Sequence, residues 1–303
     1  MGLSNETLCI VKFIIGGLDT TKSPFLVGMV VLIIYVVGIL ANLVNILVII
    51  YDKRLHKPMY LLICNLAVVD IMFTSSASPT IIRVLVASVK TISYVPCLIQ
   101  MFVFQLGWVM EMFALAVMAF DRLIAVSRPF HYHSYLTNSR TLVLTYILWI
   151  VACGFVTIFP ATVIPLPHCY TVLKYAYCDY AAVIRTTCVD PNYYFNMVAI
   201  ILFFLLFFTF GFISLSYVGI IFFVKLSSNN EKKKIGSTCL SHLIVVTCYY
   251  FPVFVLVVLT RLVNPFVYSL RTKEIKCKII KMFRKAYFSE LTLITVLIIS
   301  SLP

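Results

Sequence analysis

Val117-Met118-Ala119-Phe120-Asp121-Arg122-Leu123-Ile124-Ala125-Val126 sets an acid and a base side by side at the foot of a long apolar run. Either charge is costly in hydrocarbon, so such a pair belongs where a bundle interior meets water, and where breaking it trades one conformation for another. The tract predicts a membrane helix that ends in a switch.

Composition agrees. Of the 303 residues, 62% are hydrophobic and 12% charged, with a mean hydropathy of +1.04. No soluble domain keeps that much apolar surface from water. The formal charge of +13 does not point to nucleic acid, because the basic residues lie in short runs between apolar segments rather than along one arm or face.

A bilayer core of about 30 Å takes roughly 20 helical residues. Apolar runs of that order occupy 25–50, 59–82, 97–126, 142–166 and 193–224, and a sixth runs from 235 to 259. Cytoplasmic loops collect Lys and Arg. Lys53, Arg54 and Lys57 follow the first run, Arg122, Arg128 and Arg140 bracket the third-to-fourth connection, and Lys225, Lys232, Lys233 and Lys234 fill the fifth-to-sixth. The opposite connections hold fewer, with Arg83 and Lys90 in one and Lys174 and Arg185 in the other, partly offset by Asp179 and Asp190. The amino terminus is therefore expected outside. Asn5-Glu6-Thr7 is a glycosylation sequon usable only there. The run from Leu8 to Leu18 is too short to span and is broken by Lys12, so it reads as no signal peptide.

Four of the ten cysteines are expected to face the oxidising side: Cys97 at the end of the third run, and Cys169, Cys178 and Cys188 in one loop. Four thiols allow three pairings. Cys64, Cys153 and Cys248 fall within spans and read as small packing residues. His131-Tyr132-His133 reads as loop surface, and no Cys/His set has zinc spacing.

Further motifs follow in chain order: Gly38-Ile39-Leu40-Ala41-Asn42, whose amide can bond across a bundle; Pro58-Met59-Tyr60-Leu61-Leu62 with Leu66-Ala67-Val68-Val69-Asp70; Glu111-Met112 ahead of Asp121-Arg122; Pro129-Phe130-His131-Tyr132; Trp149; Ser214-Leu215-Ser216-Tyr217; and Ser237-Thr238-Cys239-Leu240-Ser241-His242-Leu243. Together with Met118-Ala119-Phe120-Asp121-Arg122 they resemble the olfactory receptors, a branch of the rhodopsin-like G-protein-coupled receptors, from about Phe25 to Pro252. The resemblance implies an all-α, polytopic membrane helix bundle of the seven-transmembrane type. Its parts would be an extracellular terminus (1–24), a receptor domain (25–270) and a basic tail with an atypical apolar end (271–303). It also implies the pairings Cys97–Cys178 and Cys169–Cys188, a sodium pocket at Asp70 and Glu111, a plasma-membrane location, and partners in a small odorant and a heterotrimeric G protein of the stimulatory olfactory type. No enzymatic step is expected.

Two carboxyls in hydrocarbon need a proton, a partner or a cation. For Asp70 and Glu111, sodium binding and a protonated, hydrogen-bonded pair both remain open. Phe104, Gln105, Trp108 and Met112 recur at three- to four-residue intervals and share a helix face. Such a stripe suits packing or a pocket. Phe204, Tyr250, Phe254 and Val257 are the expected facing residues of a pocket for a small, mostly apolar ligand, with Gln105 and Tyr250 as polar anchors. Asp121, Arg122, Tyr217, Asn264, Pro265 and Tyr268 are the expected coupling and switch residues.

The last third departs from a complete receptor. Asn264-Pro265-Phe266-Val267-Tyr268 resembles the end of a seventh helix, yet it begins only about a dozen residues after Pro252, and the run from Leu243 to Leu270 has 28 residues. Two crossings with a turn need more than about 40. The expected architecture is thus six clear spans plus a fused, incomplete seventh. If that run crosses once, the tail bearing Arg271, Lys273, Lys276, Lys278, Lys281, Arg284 and Lys285 emerges on the side that charge bias disfavours. Cys277 in that tail is a candidate palmitoylation site. Three readings follow: an odorant receptor with a damaged seventh span; a non-signalling membrane partner of intact receptors; and a transporter or channel, which the lack of repeats or a charged pore ring disfavours.

Overall fold

Prolines open the two leading helices of the chain. In the computed structural model, which describes residues 12–19, 23–128, 132–226, 239–240 and 242–253, α1 (Pro24–Tyr51) and α2 (Pro58–Val86) both begin on a proline. The missing N–H costs nothing at that position, and the fixed φ suits a helix. Asp52 ends α1 in extended backbone and caps the 3-10 turn Lys53–Leu55 by accepting from the Arg54 amide. α2 closes with Ala87 and then Ser88 at φ 56°, the left-handed stop common past helix ends.

α3 (Tyr94–Ser127) has 34 residues, about 50 Å of helix. It is followed by α4 (Tyr132–Tyr135), α5 (Asn138–Val156), α6 (Ile158–Val163), α7 (Tyr180–Ile184), α8 (Pro191–Leu226) and α9 (His242–Val253). Four stretches among the described residues are long and apolar enough to cross a membrane: Pro24–Tyr51, Pro58–Val86, Asn138–Val163 and Pro191–Lys225. These correspond to the first, second, fourth and fifth predicted runs, and α3 to the third. α9 is a 12-residue part of the sixth. Asn5, Asn264, Pro265, Tyr268, the fused seventh run and the tail lie outside the described residues.

The chain divides into two compact units. One runs to Asp121 and from Arg128 to Ser214; the other takes Arg122–Ser127 and the described residues from Leu215 on. In the first, α1 lies along α2 so closely that a Cβ on Gly28 would meet Leu85 Cβ at 2.9 Å. Val31, Ala77, Ile81 and Leu85 form the buried cluster there. The Tyr35 and Ser75 hydroxyls meet at 3.2 Å, and Trp149 Nε1 donates to Asn65 Oδ1 at 2.9 Å, tying α5 to α2. Asn42 does not reach across the bundle as expected. Its amide donates to the Gly38 carbonyl one turn back in its own helix at 3.1 Å. α2 and α3 touch at Gly107, where a Cβ would stand 2.8 Å from Phe73 Cβ.

The expected all-α helical bundle is accompanied by a small sheet with strand order β2-β1-β3, built from β1 (Lys12–Ile15), β2 (Thr91–Ser93) and β3 (Val172–Leu173). β1 runs antiparallel to β2 with Phe13 opposite Ile92, and parallel to β3 with Ile15 opposite Leu173. Strict alternation drives it: Phe13 and Ile15 are fully buried, while Lys12 and Ile14 face out. The stretch around Lys12, too short to span, finds its place as a strand joining the α2–α3 connection to the long loop before α8.

Candidate functional site

Both expected disulfides form. Cys97 at the start of α3 joins Cys178, with Cα atoms 5.4 Å apart, and Cys169 joins Cys188 at 5.1 Å. They frame the loop that carries α7. Asp179 caps α7 by accepting from the Ala181 amide, and Tyr180, Ala182, Val183 and Ile184 are all at most 2% exposed. The loop is thus a packed element. A second seat comes from Gln100, whose Oε1 accepts from the Cys178 amide at 3.0 Å while its Nε2 donates to the Ser76 carbonyl at 2.6 Å and to Thr80 Oγ1 at 2.9 Å.

Gln105, one of the two expected anchors, is buried and donates from Nε2 to Asp179 Oδ1 at 3.0 Å. Burial pushes the Asp179 carboxyl above its ordinary range, opposed by the Tyr180 and Ala181 amides and by Gln105. The Asp179 residue nevertheless keeps accessible surface. Along the same stripe Met112 is fully buried, while Phe104 and Trp108 are half-buried. The Phe104 ring lies 4.7 Å from Phe73 and 4.8 Å from Tyr177, so Phe104 packs α2 and the loop together.

Phe204 does not join them. It is 71% exposed, because the inward face of this part of α8 runs through Leu205, Leu206, Thr209 and Ile213, and Phe204 falls off that phase. Tyr250 of α9 is 1% exposed. Phe254 and Val257 lie outside the described residues. Asp70 and Glu111 are both half-buried and within electrostatic reach of each other. Among the described residues no three metal-ligating side chains converge.

At the other end of α3, Asp121 is 2% exposed and accepts a hydrogen bond from the Tyr132 hydroxyl at 2.6 Å. Tyr132 belongs to α4, a short turn of helix that Arg128 flanks by reaching the Tyr135 hydroxyl at 2.6 Å. In the second unit the Tyr217 hydroxyl lies 2.7 Å from His242 Nδ1 and 3.2 Å from the Cys239 carbonyl, with the Tyr217 and His242 rings stacked. Arg122 is half-buried.

Gln100, Asp179, Tyr132 and His242 were not singled out by sequence reasoning. Asp179 offered a signal, an acid directly after a bridged cysteine and ahead of a short apolar run. Tyr132 and His242 lay within quoted motifs whose individual roles the spacing did not reveal.

The family model for the olfactory receptor matches residues 31–263, ending one residue before Asn264. The chain is similar to olfactory receptor 6C1 of Homo sapiens, at 30% identity over 92% of this chain and 97% of that one. It is also similar to olfactory receptor 1500 of Rattus norvegicus, at 31% over 92% and 96%, and to the olfactory receptor-like protein OLF3 of Canis lupus familiaris, at 35% over 91% and 94%. The human alignment runs over 304 positions yet takes up 92% of a 303-residue chain, so about 25 of its positions are filled by the relative alone.

Proposed function

The chain belongs to the olfactory receptor family of G-protein-coupled receptors, and from that footing we propose that it binds a small, mostly apolar odorant against the α3 face of Phe104, Gln105, Trp108 and Met112. The observation that carries this is the loop of α7, seated on α3 through Cys97–Cys178, Gln100 and Gln105, which holds Asp179 against the same α3 face. Charge bias supports placing the amino terminus and this loop outside the plasma membrane, with Asp121 and Arg122 at the cytoplasmic face.

An agonist that binds better to the arrangement with an opened cytoplasmic end shifts the population by that difference in affinity. Arg122 then leaves its partner and, with Tyr217, lines a cavity for the α subunit of a stimulatory olfactory G protein. Asp70 and Glu111 hold a sodium ion that steadies the resting state, or share protons in its place. Nucleotide exchange takes place on the partner, so the chain itself performs no catalysis.

A second reading has its own support. The roughly 25 positions present in the human relative and lacking here are about one bilayer crossing, and the crowding of Asn264-Pro265 against Pro252 places the loss between the sixth and seventh spans. A chain so shortened acts as a non-signalling membrane partner of intact receptors. A cyclic AMP reporter separates the two. Response from the unaltered chain to some member of a broad odorant panel supports the receptor. Silence, relieved when a relative's segment is inserted between Leu259 and Asn264, supports the second reading. Silence of both forms contradicts the proposed coupling.

A further inference from the structure

The Asp179 carboxylate has no cationic partner among the described residues. The basic groups at this end are engaged elsewhere or turned outward: Lys90 pairs with Asp19, Arg83 donates to the Thr91 carbonyl, Arg185 lies over the rings of Tyr175 and Phe195, and Lys12 and Lys174 are exposed. Capping accounts for one oxygen, since Oδ2 accepts from the Ala181 amide. It does not account for the charge, because neutral Ser, Thr or Asn caps a helix as well. Oδ1 is turned to α3 and held there by Gln105 Nε2. With the Tyr180 and Ala181 amides, Gln105 brings the hydrogen bonds to this carboxylate to three, and its two oxygens can take about four. A desolvated anion without a counter-charge is expensive. An arriving cation recovers that cost, whereas a neutral ligand does not.

We propose that Asp179, oriented by Gln105, is the charge-selecting group of the ligand cavity, and that the chain prefers protonated primary amines with an apolar body over neutral molecules of the same shape. The ammonium takes the acceptor capacity that the carboxylate has left, and the hydrocarbon part lies along Phe104 and Trp108, which keep accessible surface. This rests on the reading of that face as a ligand site and adds the chemical class of the ligand. Asp70 and Glu111 sit deeper in the spans and serve the resting state rather than the ligand head group.

The test uses the purified full chain in nanodiscs, with thermal stabilisation measured at neutral pH. The probes are hexylamine, cyclohexylamine and 2-phenylethylamine, each against the matching alcohol. The amines should act at concentrations about tenfold lower, the scale of one charge-assisted hydrogen bond. Asp179→Asn should erase the difference and keep the alcohol response. Asp179→Ser, a second neutral cap, should do the same, which separates lost charge from a disturbed loop. Asp19→Asn should leave the preference intact. Equal action of amines and alcohols on the unaltered chain, survival of the preference in both Asp179 variants, or its loss in Asp70→Asn instead, overturns the assignment of Asp179 while leaving a ligand site standing. Stabilisation by neither amines nor alcohols removes the ligand site itself, and this assignment with it.

Discussion

Replacing Cys169 and Cys188 together by serine asks how much of the α7 loop is held by its cross-link. The bridge closes a sequence separation of 19 residues. The chain-entropy relation gives about 3 kcal/mol for a loop of that size. This loop lies outside the predicted spans, so its open form is close to the free chain that the relation assumes. The bridge Cys97–Cys178 closes 81 residues, nominally about 4.5 kcal/mol. That figure is a ceiling, since α3 and α5 stay helical in lipid when the loop opens. The smaller bridge therefore gives the cleaner measurement. Three backbone bonds report on it: the Cys169 and Tyr170 amides donate to the Thr186 carbonyl at 2.8 and 3.0 Å, and the Cys188 amide donates to the Pro167 carbonyl at 2.8 Å. In hydrogen exchange of the nanodisc-bound chain, protection at Tyr170 and at position 188 should fall by about 150-fold, the equivalent of 3 kcal/mol of local opening. Protection on α1 and α2 should hold. A fall of less than threefold would refute the reasoning and show that burial of Tyr180, Val183 and Ile184 holds the loop without the bridge.

Three further outcomes follow from particular contacts. Gly107→Ala forces a methyl to 2.8 Å from Phe73 Cβ and should cost about 1–3 kcal/mol, lowering the melting midpoint, whereas Gly154→Ala, with nothing within 4 Å of the new Cβ, should be neutral or slightly stabilising. Gln100→Leu strips a partner from the buried Cys178 amide and from the part-buried Ser76 carbonyl and Thr80 hydroxyl; at about 1–3 kcal/mol for the buried amide left unpaired, it should lower the midpoint, and an unchanged midpoint would count against the glutamine seat. His168 packs against Phe13 and Tyr94 and bonds Thr186 Oγ1 at 2.9 Å, and burial lowers its pKa from 6.5. The folded state then binds fewer protons than the unfolded one, so stability is full above about pH 6.5 and is lost as pH falls through the lowered value. Corrected protection of the Ile14 and Ile15 amides should decline on acidification, and His168→Phe should flatten that dependence.

The helical spans were legible because a bilayer imposes one rule on every crossing: the apolar stretch must be long, and the backbone must bond to itself. The runs at 25–50, 59–82, 97–126 and 193–224 accordingly became α1, α2, α3 and α8 with shifts of a few residues. The sheet was not legible, because β1 has four residues and its partners come from distant connections. Strand pairing at such range leaves no local period to read beyond the alternation of Phe13 and Ile15. At the site, Gln105 stood out because a polar residue within an apolar stripe is conspicuous. Asp179 did not, because a loop acid is ordinarily solvated, and only the packing of α7 shows this one to be enclosed. The outward turn of Phe204 was not legible for a related reason: on a helix where nearly every residue is apolar, composition carries no phase. The Leu206, Thr209, Ile213 face became visible only through burial.

Sensing on one side of the membrane and answering on the other requires an extracellular amino terminus, and an epitope tag ahead of Asn5 reads that wiring directly. Impermeant antibody should label the tag on intact cells, and the Cys169–Cys188 loop should be reachable from the same side. Labelling that appears only after permeabilisation would put the α7 loop in the reducing cytosol and contradict the account.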